Sequence, residues 1–184
     1  MVFPTTIETE RLILKKHILD KEYIQLWVDN INANLAWLSR FLSHFEEPMT
    51  FEKEESFLKQ LVTEEKEINY GIWNKATGEL MGSIGAFNFD NKQKPTCAEL
   101  GILLFEKYAG QHYGPEGTNA LANMLFNHGI QSVQLKIQKD NLRSRGAAQR
   151  AGYIWDGKET GFSPNHPNIS MLVYRKFSTK QTKI

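Results

Sequence analysis

The sequence of 184 residues contains one cysteine, Cys97, which excludes a disulfide within the chain and fits a reducing compartment. Because Cys97 falls in a predicted strand, we interpret it as a small buried hydrophobic residue and not as a nucleophile. The chain lacks an apolar run long enough to span a bilayer, and its formal net charge is only +1. These absences predict neither a membrane nor a nucleic-acid partner.

The sequence also lacks a leader pattern and a metal-ligand pattern. The first residues, MVFPTT, show no basic region followed by an apolar stretch, so we expect no export signal and a cytoplasmic protein. Length and composition predict one domain over residues 1–184, with residues 178–184 as a frayed tail. No metal is predicted, since four histidines have no ligand spacing with the cysteine: His17, His44, His128 and His166.

The most informative stretch runs from Cys97 to Gly129 and predicts a strand, a loop and a helix. Pro115 is predicted as the first helical residue, where its missing N–H costs nothing, and Gly129 as the helix stop. A glycine-rich loop that opens a helix favours an anion, and phosphate above all. A loop whose glycines serve turn geometry alone is the alternative.

The remaining chain predicts helices first and mainly strands afterwards. Apolar spacing and capping residues predict helices over residues 20–32, 34–45, 50–65 and 143–151. Alternating or apolar runs predict strands over residues 12–16, 70–73, 80–89, 133–138, 153–155 and 169–177. Residues 160–168 are predicted as a loop.

A helix between the strands at 97–104 and 133–138 predicts a parallel pair with a right-handed crossover. The fold class is therefore α/β, with a central mixed, mostly antiparallel sheet of about seven strands and helices on both faces. Both parallel strands end at the same sheet edge, where α/β sheets bind ligands. Asn141 and Ser144 follow the second strand at that edge and are candidates to touch the ligand; simple helix capping is the alternative.

Four stretches, in this order and spacing, resemble the GCN5-related N-acetyltransferase superfamily, and within it the group that acetylates N-termini of ribosomal proteins. They cover about nine-tenths of the chain. The stretches are Thr9-Glu10-Arg11-Leu12-Ile13-Leu14; Asn34-Leu35-Ala36-Trp37-Leu38; Met81-Gly82-Ser83-Ile84-Gly85 leading to Ala98-Glu99-Leu100-Gly101; and Asn141-Leu142-Arg143-Ser144 followed by Ala151-Gly152-Tyr153.

The resemblance implies that acetyl-coenzyme A is a cosubstrate and that the two parallel strands splay apart like a V. The pantetheine arm would enter the gap as a pseudo-strand and meet backbone groups of Ile102, Leu103 and Leu104. Asn141 and Ser144 would contact the pantetheine side. The pyrophosphate would lie on the N–H groups of Ala109, Gly110, Gln111, His112, Tyr113 and Gly114.

Three loop residues depart from the family pattern or remove a donor. The family often has Gln or Arg where this chain has Ala109, and Gly where it has His112. Pro115 removes one N–H from the helix start. We therefore expect weaker coenzyme binding, although His112 could donate a hydrogen bond to phosphate.

Acetyl transfer needs a base and a proton donor for the departing sulfur. Alternation places Glu99 on one sheet face with Gly101 and Leu103, which makes it the candidate base; a surface or ion-paired strand glutamate is the alternative. Ser144 is the candidate donor to the sulfur. The resemblance places Trp37 and Phe41 at the acceptor channel, whereas aromatic residues on a helix are also typical of a core.

These patterns together predict an N-acetyltransferase that transfers the acetyl group directly to a primary amine. The favoured acceptor, by resemblance, is the N-terminal α-amine of a ribosomal protein. A small amine, such as a polyamine, an aminoglycoside or an amino-acid-like compound, is the alternative. A non-catalytic sensor or interaction module that binds acyl-coenzyme A is the alternative from another class. The chain is expected to be a monomer or a homodimer.

Overall fold

The computed structural model describes residues 2–42, 45–63, 67–91, 95–163 and 166–179. The strands in this part of the chain are β1 (Thr6–Glu8), β2 (Leu12–Lys16), β3 (Ile68–Asn74), β4 (Leu80–Phe87), β5 (Cys97–Leu104), β6 (Ser132–Gln138), β7 (Ile154–Ser163) and β8 (His166–Phe177). The helices are α1 (Lys21–Ala33), α2 (Leu35–Leu38), α3 (Phe51–Thr63), α4 (Tyr113–Asn127) and α5 (Leu142–Arg150).

The described strands form a single sheet of eight in the order β1-β2-β3-β4-β5-β6-β8-β7. β5 and β6 run parallel, and every other neighbouring pair in this sheet is antiparallel. The predicted mixed, mostly antiparallel sheet is therefore confirmed. The strand beyond the expected seven is β1, which has three residues and is too short to produce a period-two pattern.

Helices cover both faces of the sheet, as predicted. On one face, a Cβ built on Gly117 of α4 would lie 3.7–3.8 Å from the side chains of Leu12, Ile84 and Ile102. On the other face, the Tyr23 hydroxyl of α1 lies 3.1 Å from the position of a Cβ built on Gly71. The sheet thus separates two layers of core packing, one on each of its faces.

The local capping patterns are mostly confirmed. The Asp20 carboxylate accepts hydrogen bonds from the backbone N–H groups of Glu22 and Tyr23, at 3.0 and 3.1 Å, and so caps α1. Gly129 ends α4 with a φ of +94°. The start of α4 differs from the prediction, because the helix begins at Tyr113 and Pro115 is its third residue. Pro115 still costs no intrahelical hydrogen bond there, since the first four N–H groups have no partner.

The predicted helix over residues 34–45 is wrong in length. Only Leu35–Leu38 is helical, and residues 43–44 lie outside the described part. The carbonyl of Phe41 accepts a hydrogen bond from the Gln138 side chain at 3.0 Å instead of continuing the helix. A tertiary contact therefore overrides a local helical pattern.

One further prediction changes near the C-terminus. The predicted loop over residues 160–168 is wrong, because residues 160–163 and 166–168 belong to β7 and β8; residues 164–165 lie outside the described part. At the start of the predicted frayed tail, the Ser178 N–H donates to the Gln131 carbonyl at 2.8 Å. Residues 180–184, like residues 64–65 of the predicted third helix, lie outside the description.

Of the helices that the structure describes, none combines the length and the apolar character required to cross a membrane.

Candidate active site

The two parallel strands separate soon after they begin to pair. Their pairing ends at Glu99 and Gln134, after three residue pairs. Beyond that point β5 remains paired with β4 as far as Leu104, and β6 remains paired with β8 as far as Gln138. Residues 100–104 therefore border a wedge-shaped gap, roughly 16 Å long at the usual rise per residue. The splay that the resemblance implies is present in this fold.

The backbone of β5 presents alternate residues to this gap. A Cβ built on Gly82 would lie 2.2 Å from the Leu103 carbonyl oxygen, so this oxygen points towards β4. Because carbonyls alternate along a strand, the polar backbone groups of Ile102 and Leu104 point into the gap. Of the three predicted residues, Ile102 and Leu104 are thus oriented towards the gap, and the Leu103 carbonyl is oriented towards β4.

The loop from Ala109 to Gly114 lies beyond the open end of β5 and leads into α4. Gly110 has a φ of +83° and His112 a φ of +66°, whereas φ of the intervening Gln111 is not positive. Successive residues of opposite hand form backbone nests whose N–H groups converge on an anion. Tyr113 and Gly114 add N–H groups at the helix start. The backbone over Gly110, Gln111 and His112 therefore has the alternating hand of a nest.

His112 occupies a conformation that glycine adopts at no steric cost. A left-handed backbone costs an ordinary residue about 1–2 kcal/mol. His112 is the N-cap of α4, its side chain makes no capping hydrogen bond, and it is exposed. The glycine that the family often has here is therefore explained by the backbone angle as well as by close approach to phosphate.

Asn141 and Ser144 meet the other border of the gap, at the start of α5. The Asn141 side-chain oxygen accepts a hydrogen bond from the Ser144 N–H at 3.1 Å, so the capping interpretation holds for Asn141. Within the described part of the chain, the Ser144 hydroxyl makes no hydrogen bond, and the residue is half-buried. This hydroxyl is thus available to a ligand.

Glu99 lies where the two strands part. Its carboxylate forms an ion pair with Lys136 at 2.8 Å, and the residue is only 8% exposed. Side-chain amides of Asn88 and Gln134 approach the same oxygen, at 3.4 and 3.5 Å. The ion-paired alternative that the sequence left open is therefore what the structure contains, at the position expected for a base.

Residues 34–42, here called the crossing segment, span the open end of the wedge. On the β5 side, the Trp37 indole N–H donates to the Leu104 carbonyl at 2.9 Å, and the Glu106 N–H donates to the Asn34 side chain at the same distance. On the β6 side, Gln138 donates to Phe41. The structure thus brings Trp37 and Phe41 to the gap.

Two guanidinium groups lie close to the Trp37 ring. Arg40 and Arg143 have their Cζ atoms 5.3 and 5.0 Å from the ring centre. In cation–π contacts of this kind the positive charge is attracted to the face of the ring, which stabilises the position of both groups. Arg143, which follows Asn141, therefore connects α5 to the crossing segment.

Sequence reasoning missed the contacts that hold the loop and the crossing segment. Asn34 and Gln138 carry no motif of their own, and Glu116 looked like an ordinary acidic residue of a helix start. Arg11 belongs to the first stretch that carries the resemblance, which is the one available indication of its importance. Among the described residues, no three His, Cys, Asp or Glu side chains come together to hold a metal ion.

Solved structures share this fold at low sequence identity. A microcin C7 self-immunity acetyltransferase in complex with acetyl-coenzyme A and AMP matches with a TM-score of 0.81 and 20% identity, over 92% of this chain and 94% of that chain. The ribosomal-protein-S5-alanine acetyltransferase from Vibrio fischeri matches with a TM-score of 0.78 and 14% identity, over 98% and 100%. A spermidine N-acetyltransferase from Vibrio cholerae, in complex with coenzyme A and spermine, matches with a TM-score of 0.72 and 15% identity, over 94% and 98%.

No curated protein matches the sequence. A family model does match: residues 11–154 fit the acetyltransferase (GNAT) domain. These residues include the splayed strands, the loop before α4 and the start of α5. The chain therefore belongs to the GNAT acetyltransferase family.

Proposed function

We propose that the protein transfers an acetyl group from acetyl-coenzyme A to a primary amine by direct attack, and that the preferred amine is the N-terminal α-amine of a ribosomal protein. The observation that carries this proposal is the wedge between β5 and β6 with a nest of N–H groups at its open end. A cytoplasmic location agrees with such a substrate. The small-amine alternative is supported by the shared fold of the spermidine enzyme.

The residues at the gap suit a long thioester that carries a diphosphate. Ile102 offers its backbone groups to an extended arm, as a neighbouring strand would, and Leu104 offers its N–H, since its carbonyl accepts from Trp37. The loop over residues 110–114 offers N–H groups and the positive end of α4 to the diphosphate. The Ala109 N–H instead donates to the Glu106 carbonyl at 3.0 Å. Asn141 and Ser144 border the arm from the β6 side.

The reaction requires few groups from the protein. The amine nitrogen attacks the thioester carbonyl carbon, a C–N bond forms, the C–S bond breaks, and the thiolate takes a proton. The backbone N–H of Leu104 faces the gap and stabilises the developing oxyanion. We assign proton transfer to the sulfur to Ser144. Glu99 lies about 16 Å from Leu104 along β5, so we assign to it acceptance of the amine proton through a relay of water molecules. Glu99 performs this role from its ion pair with Lys136.

An α-amine suits a site with so few catalytic groups. Its pKa lies near 7.7–8.0, whereas that of a lysine side chain lies near 10.4. The difference of about 2.5 units makes the lysine amine about 3 kcal/mol harder to deprotonate at neutral pH. An N-terminal amine therefore needs only a weak base.

The proposal is tested first by thermal shift and then by turnover. Acetyl-coenzyme A and coenzyme A should raise the melting temperature, while ATP and NAD should not. Release of free thiol is then measured with peptides that begin with serine or alanine, and with spermidine. Turnover of the peptides supports the proposal, and turnover of spermidine alone supports the small-amine alternative. Coenzyme binding without turnover of any amine would indicate the alternative from another class, a non-catalytic sensor or interaction module that binds acyl-coenzyme A.

Replacing Ser144 with alanine should lower kcat by about 10²-fold, the lower range for loss of a positioned proton donor. The affinity for coenzyme A should change by less than about twofold, because the hydroxyl acts on the departing sulfur. Stopped-flow thiol release and calorimetry measure the two quantities. Asn141→Ala is the contrasting variant, since it removes a cap and should weaken coenzyme binding as well. Equal losses of kcat and affinity in Ser144→Ala would reduce Ser144 to a binding residue.

Replacing His112 with glycine should tighten coenzyme A binding severalfold. The change removes a side chain close to the diphosphate. The left-handed strain is present without ligand, so its relief stabilises the free and the bound protein alike. His112→Asn is the intermediate variant, because asparagine tolerates this backbone conformation and keeps a smaller side chain. Calorimetry should rank the affinities as glycine, asparagine, histidine. A tenfold weakening in His112→Gly would instead show that the histidine is a phosphate ligand.

A further inference from the structure

The carboxylate of Glu116, in the first turn of α4, collects hydrogen bonds from the segment before β2. It accepts from the Thr9 hydroxyl at 2.6 Å, and from the Arg11 backbone N–H and Nε at 2.9 and 2.7 Å. Arg11 Nη2 forms an ion pair with it at 2.7 Å. The Glu116 side chain is only 17% exposed. Its acceptor capacity is thus filled by donors about a hundred residues away in the chain.

Arg11 reaches from this carboxylate to the loop before α4. Its Nη1 donates to the Gln111 carbonyl at 3.1 Å. Its guanidinium also lies 4.4 Å from the centre of the Tyr113 ring. One planar group therefore contacts residues on both sides of His112.

The hydrogen bond from Arg11 to the Gln111 carbonyl determines the direction of the next backbone N–H group, that of His112. In a trans peptide, the carbonyl of one residue and the N–H of the next point in opposite directions. With the Gln111 carbonyl turned towards Arg11, the His112 N–H is turned to the opposite side of the loop. The peptide between Gln111 and His112 could have its carbonyl on either side of the loop, and Arg11 thereby selects one of these two orientations.

We propose that Arg11, held by Glu116, is a positioning residue that orients the Gln111–His112 peptide so that the His112 N–H faces the diphosphate of the ligand. Arg11 acts through the loop and makes no contact with the reacting atoms. The inference rests on the proposed function, since it requires coenzyme binding at this loop. It adds the claim that the loop conformation depends on a residue outside the loop, namely Arg11 of the segment before β2, which is ion-paired with Glu116.

The experiment is calorimetric binding of coenzyme A and of pantetheine, which lacks the diphosphate. Arg11→Lys keeps the charge but cannot hold Glu116 and Gln111 at once, because it lacks the planar fork. It should weaken coenzyme A binding about tenfold and leave pantetheine binding within twofold. The matched control is Arg175→Lys, which changes another half-buried pair, with Asp156 at 2.7 Å, and should leave the ratio of the two affinities unchanged.

Glu116→Gln distinguishes positioning from simple charge. Removing a negative charge next to an anion site should tighten anion binding if electrostatic attraction alone matters. Positioning predicts the reverse, a fivefold to tenfold weakening for coenzyme A alone, since the amide cannot hold the guanidinium. The ¹⁵N–¹H signal of His112 should also shift less on addition of coenzyme A in both variants than in the unaltered protein.

The outcomes separate the inference from the proposed function. If the unaltered protein binds neither coenzyme A nor acetyl-coenzyme A, the proposed function fails and the inference fails with it. If the unaltered protein binds coenzyme A but the variants lose both ligands equally, the proposed function stands and the positioning role is overturned. Tighter coenzyme A binding in Glu116→Gln would overturn it as well.

Discussion

Replacing Gly82 with alanine should destabilise the protein by roughly 3–5 kcal/mol, the range of exceptional single substitutions. The new Cβ would lie 2.2 Å from the Leu103 carbonyl oxygen and 3.0 Å from Leu104 Cα, and φ of Gly82 is +148°. These contacts are with backbone, which cannot rotate away as a side chain can. Relief requires β4 and β5 to separate at the residues that border the gap.

Chemical denaturation of the two variants Gly82→Ala and Gly78→Ala provides the measurement. Gly78 also has a positive φ, of +72°, but nothing lies within 4 Å of its added Cβ. Its replacement should therefore cost only the left-handed strain, about 1–2 kcal/mol. Equal losses in the two variants would show that β4 and β5 approach less closely at Gly82 than described. Coenzyme A binding should also be weaker in Gly82→Ala, because Leu104 moves with β5.

Replacing Glu54 with glutamine should stabilise the protein by about 3 kcal/mol at pH 8 and change its stability little at pH 4.5. Glu54 lies in α3, is 2% exposed, and has no ion pair among the described residues. Burial raises the pKa of its carboxyl to about 7, from the ordinary 4.5. The variant resembles the neutral acid and never carries the charge.

The sign of the pH dependence follows from this raised pKa. Between pH 4.5 and 7 the folded protein holds a proton that the unfolded chain has lost, so stability falls as pH rises. Above pH 7 the carboxyl is ionised in both states, and the folded protein bears the full free-energy cost of burying the charge. The difference of 2.5 pKa units corresponds to about 3 kcal/mol. Below pH 4.5 both states are protonated, and the variant gains nothing.

Urea denaturation of both proteins at several pH values measures the difference. Burial lowers the pKa of His17 to about 4, so its contribution to stability is present above pH 6.5 and is lost as pH falls towards 4. This contribution is common to both proteins and cancels in the difference. Glu52→Gln, at an exposed position of the same helix, is the control and should change stability by less than about 1 kcal/mol. A constant difference between Glu54→Gln and the unaltered protein at all pH values would contradict the raised pKa.

The arrangement of elements followed from local patterns in the sequence. Asp20 caps α1, Gly129 ends α4, and the strand pattern over residues 133–138 matches β6, because caps, turns and side-chain alternation depend on residues close together in the chain. A helix between two strands also determined that those strands run parallel. These signals, with the order of four motifs, sufficed for the fold and the family.

The details of the site depended on residues far apart in the chain. The pattern over residues 34–45 predicted a long helix, but contacts of Trp37 with Leu104 and of Phe41 with Gln138 produce a crossing segment. The alternation of β5 placed Glu99 at the gap, but not Lys136 beside it. None of these three contacts produces a periodic pattern or a capping pattern in the sequence.

By itself, then, the sequence determined a GNAT acetyltransferase fold and the position of the glycine-containing loop before α4, because helix starts, turns and strands are specified by neighbouring residues. Only the tertiary structure decided where β5 leaves β6, that His112 adopts a left-handed conformation, and that Arg11 reaches Gln111. The physical reason is that a hydrogen bond or an ion pair across a hundred residues forms only when the whole sheet brings its partners together.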